Sequence, residues 1–248
     1  MSESDRSRWA GRNSANAAVR DRVWSRLVET EVNVGPAFDR IPNFVGADAA
    51  AKRLSKLEQW KRARVVKCIP DPPQIPVRLR ALSDGKLLFS PVPYLTKGFP
   101  YLRIDPEKLK AEGIDFEIAT TSQGFMQHGE PVGFEDMPKL DFCVVGCVAV
   151  TRRGGRTGKG AGFADLEQGV FRELGLADSS TPIATTAHSS QVVEDPARTA
   201  RNGARTRSSP PSPSARARLG AGCTCICSRR AISAPSPTAF IRRASFSV

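Results

Sequence analysis

The chain has 248 residues, 40% of them hydrophobic, enough for one packed domain and a tail. No apolar run approaches the roughly 20 residues that cross a bilayer, and Met1–Arg20 lacks the apolar segment of a secretory signal, so a soluble cytoplasmic protein is expected. The net charge of +12 suggests nucleic acid only until it is located: residues 196–248 hold ten Arg and no acid, and the preceding residues carry 27 basic and 25 acidic side chains, a net of +2.

From about Ala17 to Val28, the residues Val19, Val23, Trp24 and Leu27 fall at helical spacing. Gly35, Pro36, Pro42 and Gly46 make residues 31–46 a loop. Asp48 is placed to cap a second helix with Ala50, Ala51, Leu54, Leu57 and Trp60 on one face. Arg64–Ile69 is a β-branched run ended by Pro70, hence a strand, and the Pro-rich stretch 70–76 is a loop. Val77–Leu82 predicts a short helix, Leu87–Pro91 a strand, and Asp105–Gly113 a helix that its glycine ends. Leu140–Val150, the most apolar stretch, predicts one buried parallel strand. A glycine-rich loop follows, then a helix from about Phe163 to Leu174 and a strand over Pro182–Ala187. Strands alternating with helices give an α/β domain with a mainly parallel sheet, whose ligands sit beyond the carboxyl ends of the strands.

Cys68, Cys143 and Cys147 lie in or beside apolar runs and fit core thiols in a reducing compartment. Cys223, Cys225 and Cys227 have CxC spacing with no second pair, so no zinc site is expected.

The segment that carries chemistry runs from Val150 to Glu167. Its glycines let backbone approach an anion and adopt positive φ. The helix that follows offers free amides and the positive end of its dipole. Arg156 and Lys159 supply cationic donors for phosphate oxygens, and Asp165 is placed to hold a Mg²⁺ bridging them. The segment is neither a P-loop nor a dinucleotide fingerprint, because Gly158, Gly160 and Gly162 have the wrong spacing for both. An isolated GxGxG is otherwise a solvated surface turn; the strand before it and the helix after it favour phosphate.

Arg156-Thr-Gly158-Lys159-Gly160-Ala-Gly162-Phe163-Ala-Asp165 is similar to the nucleotide loop of the 5-formyltetrahydrofolate cyclo-ligase family, Arg-x-Gly-x-Gly-x-Gly-Tyr-x-Asp. Arg40–Phe44, Ala63–Lys67, Pro70–Gln74, Thr121–Gly124 and Gln191–Val193 resemble the branch called methenyltetrahydrofolate synthase domain-containing proteins. The resemblance spans about Val23 to Asp195 in consistent order. It implies a three-layer αβα fold, ATP and Mg²⁺ as cofactors, and conversion of 5-formyltetrahydrofolate to 5,10-methenyltetrahydrofolate. It also implies phosphate contacts from Arg156, Gly158, Lys159, Gly160 and Gly162, Mg²⁺ placement by Asp165 and ring stacking by Phe163. Arg20 matches the second position of the family's N-terminal Lys-x-x-x-Arg, with Asn16 at the first; Ala164 stands where an aromatic is usual. These departures keep open a catalytically silent relative that binds a nucleotide or folate.

Asp71 and Gln74 lie near the place of the family's folate-contacting Glu, and neither is equated with it. Arg78 suits either the glutamate tail of a folate or a solvated helix face. His188 is expected to hydrogen-bond at a strand end, His128 to be solvated, and the Thr120–Gly124 loop to be structural. Residues 1–195 thus form the expected domain. Residues 196–248, rich in Arg, Ser and Pro, form a disordered basic tail or a frameshifted reading in place of the family's last strand. Shifted by one base, codons for Thr206–Pro211 permit the Asp-x-apolar-apolar-Thr-Pro of that strand. Such a change would leave a sheet edge unpaired. A real tail makes nucleic-acid binding the third candidate function.

Overall fold

The structure, a computed structural model, describes residues 14–92, 100–194 and 223–228, with backbone alone for residues 14, 15 and 223–228. A central seven-stranded sheet has the order β10-β8-β5-β1-β2-β3-β4. Its middle is parallel: β1 (Val65–Cys68) lies between β2 (Leu87–Pro91) and β5 (Phe142–Val144), and β5 pairs with β8 (Ile183–His188). Both flanks are antiparallel, with β3 (Tyr101–Ile104) and β4 (Glu130–Val132) on one side and β10 (Cys223–Ser228) on the other. The expected parallel character therefore holds for the central strands.

Strand alternation divides the interior in two. Val66, Cys68, Leu88, Phe142, Val144 and Ala184 join the larger core. It is covered by Leu54 of α2 (Ala47–Leu54), Trp60 of α3 (Glu58–Arg62) and Val77, Ala81 and Leu82 of α4 (Ile75–Ser83). Leu109 of α5 (Pro106–Ala111), Ala119 of α6 (Phe116–Ala119) and Phe125 of α7 (Ser122–His128) extend it. Phe89, Tyr101 and Cys143 point the other way, against Phe171 of α8 (Phe163–Glu173). Helices thus cover both faces. A three-stranded sheet, β7-β6-β9, packs beside α1 (Ser14–Glu29); its strands are β6 (Ala149–Thr151), β7 (Arg156–Thr157) and β9 (Val192–Val193).

Five expectations change. Leu140–Val150 is two strands in different sheets, β5 and β6. They part at Gly146, where an added Cβ would lie 2.5 Å from Ile69 Cδ1 and 3.0 Å from the Ile41 side chain. Asp48 sits in the first turn of α2, and the N-cap is Gly46, in the left-handed region at φ 86°. The apolar face from Ala50 to Trp60 is buried but shared by two helices, and the Pro-rich loop folds as a 3₁₀ turn over Pro72–Gln74 leading into α4. Within the tail, residues 223–228 form β10, which pairs with β8 and covers the edge expected to stand open. The remaining tail expectations lie outside the described residues. No described helix is long and apolar enough to cross a membrane.

Candidate anion-binding site

The connection from β1 leads through α4 to β2, while that from β5 leads through α8 to β8 on the opposite side. Chain direction therefore diverges between β1 and β5, and such a divergence opens a ligand crevice at the carboxyl ends. The glycine segment lies on this route. β6 and β7 form a hairpin closed by Thr151 N to Gly155 O at 2.7 Å, with Gly154 at φ 89°. Beyond Thr157 the chain turns through Gly160 at φ 110° and Gly162 at φ 74°, and Gly162 is the N-cap of α8. Only glycine adopts these angles without strain, so the loop can present backbone where side chains would intrude. The first amides of α8 lack intrahelical partners in the usual way and form the positive end of its dipole.

Charged groups gather on this loop. Arg156 Nη2 donates to Asp165 Oδ1 at 2.8 Å; the Arg156 side chain is 8% exposed and that of Asp165 47%. Arg156 Nε is buried without a hydrogen-bond partner. A buried donor left unmatched costs stability, a cost that an acceptor from outside the chain would relieve. Arg20 of α1, also buried, donates through Nη1 to Thr157 Oγ1 at 3.3 Å. Lys159 Nζ stands 3.9 Å from Asp71 Oδ1, so the loop spans towards the turn after β1. Desolvation pushes the Asp71 carboxyl up, against the pull of Lys159, Arg78 and Lys67. Phe163 is exposed at the mouth. Arg20, Arg156, Gly158, Lys159, Gly160, Gly162, Phe163 and Asp165 thus occupy one continuous feature.

No group of three His, Cys, Asp or Glu that could hold a metal occurs among the described residues. Mg²⁺ commonly binds through one or two carboxylates and the substrate's phosphates. Asp165, about half exposed on the loop, could serve an ion that arrives with a polyphosphate only if its pair with Arg156 opened.

Other candidates have structural work. Arg78 does not solvate a helix: it is fully buried and donates to Ile69 O, Asp71 O and Thr120 O at 2.6, 3.3 and 3.0 Å, with Nη2 left without a partner. It anchors the turn that carries Asp71. Gln74 Nε2 donates to Thr186 Oγ1 at 3.2 Å. His188 Nδ1 accepts from Ser190 N at 3.2 Å, capping a 3₁₀ turn, and desolvation lowers its pKa. In the Thr120–Gly124 segment, Thr121 caps α7 by accepting from Gly124 N at 2.9 Å, and a Cβ on Gly124 would overlap Ile118 O at 1.8 Å. Sequence reasoning missed Gln191, whose Nε2 donates to Cys147 O and Val148 O at 3.1 Å and so secures the approach to β6. It also missed a buried cluster of Lys67, Glu167 and Tyr101. A lysine inside an apolar strand was the available signal, but its partner lies 100 residues on.

A glycine loop entering a helix, lined by cations at a strand-order divergence, marks the candidate site of an α/β protein. The model of the 5-formyltetrahydrofolate cyclo-ligase family matches residues 13–197, and the chain belongs to that family. It is 40% identical over 180 residues to the methenyltetrahydrofolate synthase domain-containing protein of Danio rerio, and 37% and 35% identical over 180 residues to those of Bos taurus and Homo sapiens. Each alignment covers 72% of this chain and 46–47% of the relative, so the chain spans about half the length of these curated relatives.

Proposed function

We propose that the domain, residues 1–195, converts 5-formyltetrahydrofolate to 5,10-methenyltetrahydrofolate with cleavage of ATP to ADP and phosphate. Membership of the family supports folate one-carbon chemistry. The observation that carries the ATP assignment is the unmatched, buried Arg156 Nε on the glycine loop that ends in the Gly162 cap of α8. In the proposed reaction the formyl oxygen attacks the γ-phosphorus and ADP leaves. N10 then attacks the formyl carbon and gives up its proton to solvent, the ring closes and phosphate departs. Such phosphoryl transfer needs positioning and charge neutralisation above all. Arg156 and Lys159 offset phosphate charge, the amides after Gly160 and Gly162 bind oxygens, and Arg20 steadies the loop through Thr157. Phe163 stacks on a ring, and Mg²⁺ on Asp165 supplies further charge neutralisation when bound. Unpaired Cys68, Cys143 and Cys147 are consistent with a reducing, cytoplasmic setting.

The second reading is a silent relative that binds nucleotide or folate, favoured by Asn16 and Ala164 at the positions where the family motif differs. Turnover separates the two. The full chain is given 5-formyltetrahydrofolate, ATP and Mg²⁺, and the methenyl product is followed by absorbance. Lys159→Ala should cut kcat/KM for ATP by about tenfold or more, an amount typical of a lost charge-assisted contact. Circular dichroism should show an unchanged fold, because Lys159 is partly exposed and packs little. An active Lys159→Ala enzyme removes that residue from the site. Asp165→Asn should raise the Mg²⁺ concentration needed for half-maximal rate; indifference to Mg²⁺ argues against the ligand role. Absence of product from a folded wild-type chain favours the silent relative.

A further inference from the structure

The half of α8 that carries the glycine cap is poorly anchored by apolar contact. Its apolar residues Phe163 and Leu166 are 38% and 39% exposed, and the α8 residue in the core beneath is Phe171, towards the other end. What holds the first turns to the sheet is polar. Lys67 Nζ of β1 donates to Glu167 Oε2 at 2.6 Å, and Tyr101 Oη of β3 donates to Glu167 Oε1 at 2.5 Å. All three side chains are buried, at 0%, 0% and 3% exposure for Lys67, Tyr101 and Glu167. Burial, then the adjacent Glu167, push the Tyr101 phenol well above its ordinary range, so it remains a donor.

A buried ion pair is a poor source of stability, since desolvation offsets its attraction and an apolar pair of equal volume often does as well. It is, however, directional. Each residue turns a helix by about 100°, so fixing both oxygens of Glu167 fixes the rotation of α8. That rotation sets where Gly162 and Asp165 face. β1 also carries Lys67 four residues before Asp71, the partner of Lys159. One strand thereby locates both sides of the crevice.

We propose that Lys67, Glu167 and Tyr101 are positioning residues for the glycine loop, holding the N-terminal half of α8 in the orientation that binds the triphosphate. The triphosphate part rests on the function proposed above. The test uses the full chain, the double variant Lys67→Met/Glu167→Met and the single variant Tyr101→Phe. Three quantities are read: stability in urea, amide exchange across residues 160–168 against 169–173, and KM for ATP against KM for 5-formyltetrahydrofolate. The double variant should stay folded, any gain from removing the buried ion pair being offset by the Tyr101 hydroxyl left without an acceptor. Its amides at 160–168 should exchange faster while 169–173 stay protected, and KM for ATP should rise about tenfold with the folate KM within about twofold. Tyr101→Phe should move the same readouts in the same direction by less. A stable double variant with wild-type exchange and wild-type KM for ATP overturns the proposal, as does a rise of both KM values together. If the double variant does not fold, Tyr101→Phe decides by the same criteria. If wild type neither turns over nor binds ATP in calorimetry, the function falls on its own, and exchange at 160–168 still decides whether the triad orients the loop.

Discussion

Asp71 carries two opposed electrostatic effects. Its carboxyl is desolvated in the turn after β1 and lies above the usual carboxylate range, although Lys159, Arg78 and Lys67 favour its charged form. A raised value in the fold means that the folded chain holds the proton more tightly than the unfolded one. The contribution of Asp71 to stability is therefore full below the unfolded value of 3.8 and is lost as pH rises through the folded value. Asp71→Asn keeps a neutral group at every pH. The variant should match wild type in acid and exceed it near neutrality in urea unfolding. A gain confined to acid, or a loss at neutral pH, would show that the Lys159 contact outweighs desolvation. At this scale the loop residues were legible, because Arg156, Lys159 and the glycines are neighbours in sequence. The Lys159–Asp71 approach and the Lys67–Glu167 pair were not, since nothing local says which charges a fold brings together across tens of residues.

At the scale of elements, uniform apolarity concealed a boundary. Leu140–Val150 gives no periodic cue to its division; the strands part at Gly146, where Ile41 and Ile69, distant in sequence, leave no room for a side chain. Strands and helices bounded by proline or glycine came closer to their sequence limits: β1 stops before Pro70, and α8 begins after Gly162. Gly146→Ala should then destabilise by about 1–3 kcal/mol, the usual range for overpacking a core. Removing Ile69 Cδ1 through Ile69→Val should restore much of the loss, although that change alone creates a small void. Urea denaturation of the two single variants and the double variant measures the coupling. Additive losses would mean that the contact is absorbed by movement elsewhere. The hairpin from β6 to β7 starts just beyond this glycine, so the same cycle should disturb the anion loop, visible as a higher KM for ATP in Gly146→Ala and its partial recovery in the double variant.

For the molecule as a whole, the question is what residues beyond the family match contribute. The match ends at residue 197, yet β10 at residues 223–228 pairs along the whole of β8, from Cys223 opposite His188 to Ser228 opposite Ile183. Composition alone did not disclose this strand, because a short polar and cysteine-bearing run amid Arg, Ser and Pro has no distinguishing period. A chain ending at residue 197 would leave β8 as an edge with a row of unpaired backbone groups. It would also lose ten Arg, and with them nearly all the net charge that opposes self-association. Both effects act in one direction. The truncated chain should scatter light at lower protein concentration and unfold at lower temperature than the full chain, and raising salt should narrow the solubility gap by screening the full chain's charge. Equal melting with a persisting solubility gap would assign the tail's effect to charge alone. Lower melting that salt does not alter would assign it to the β8 edge.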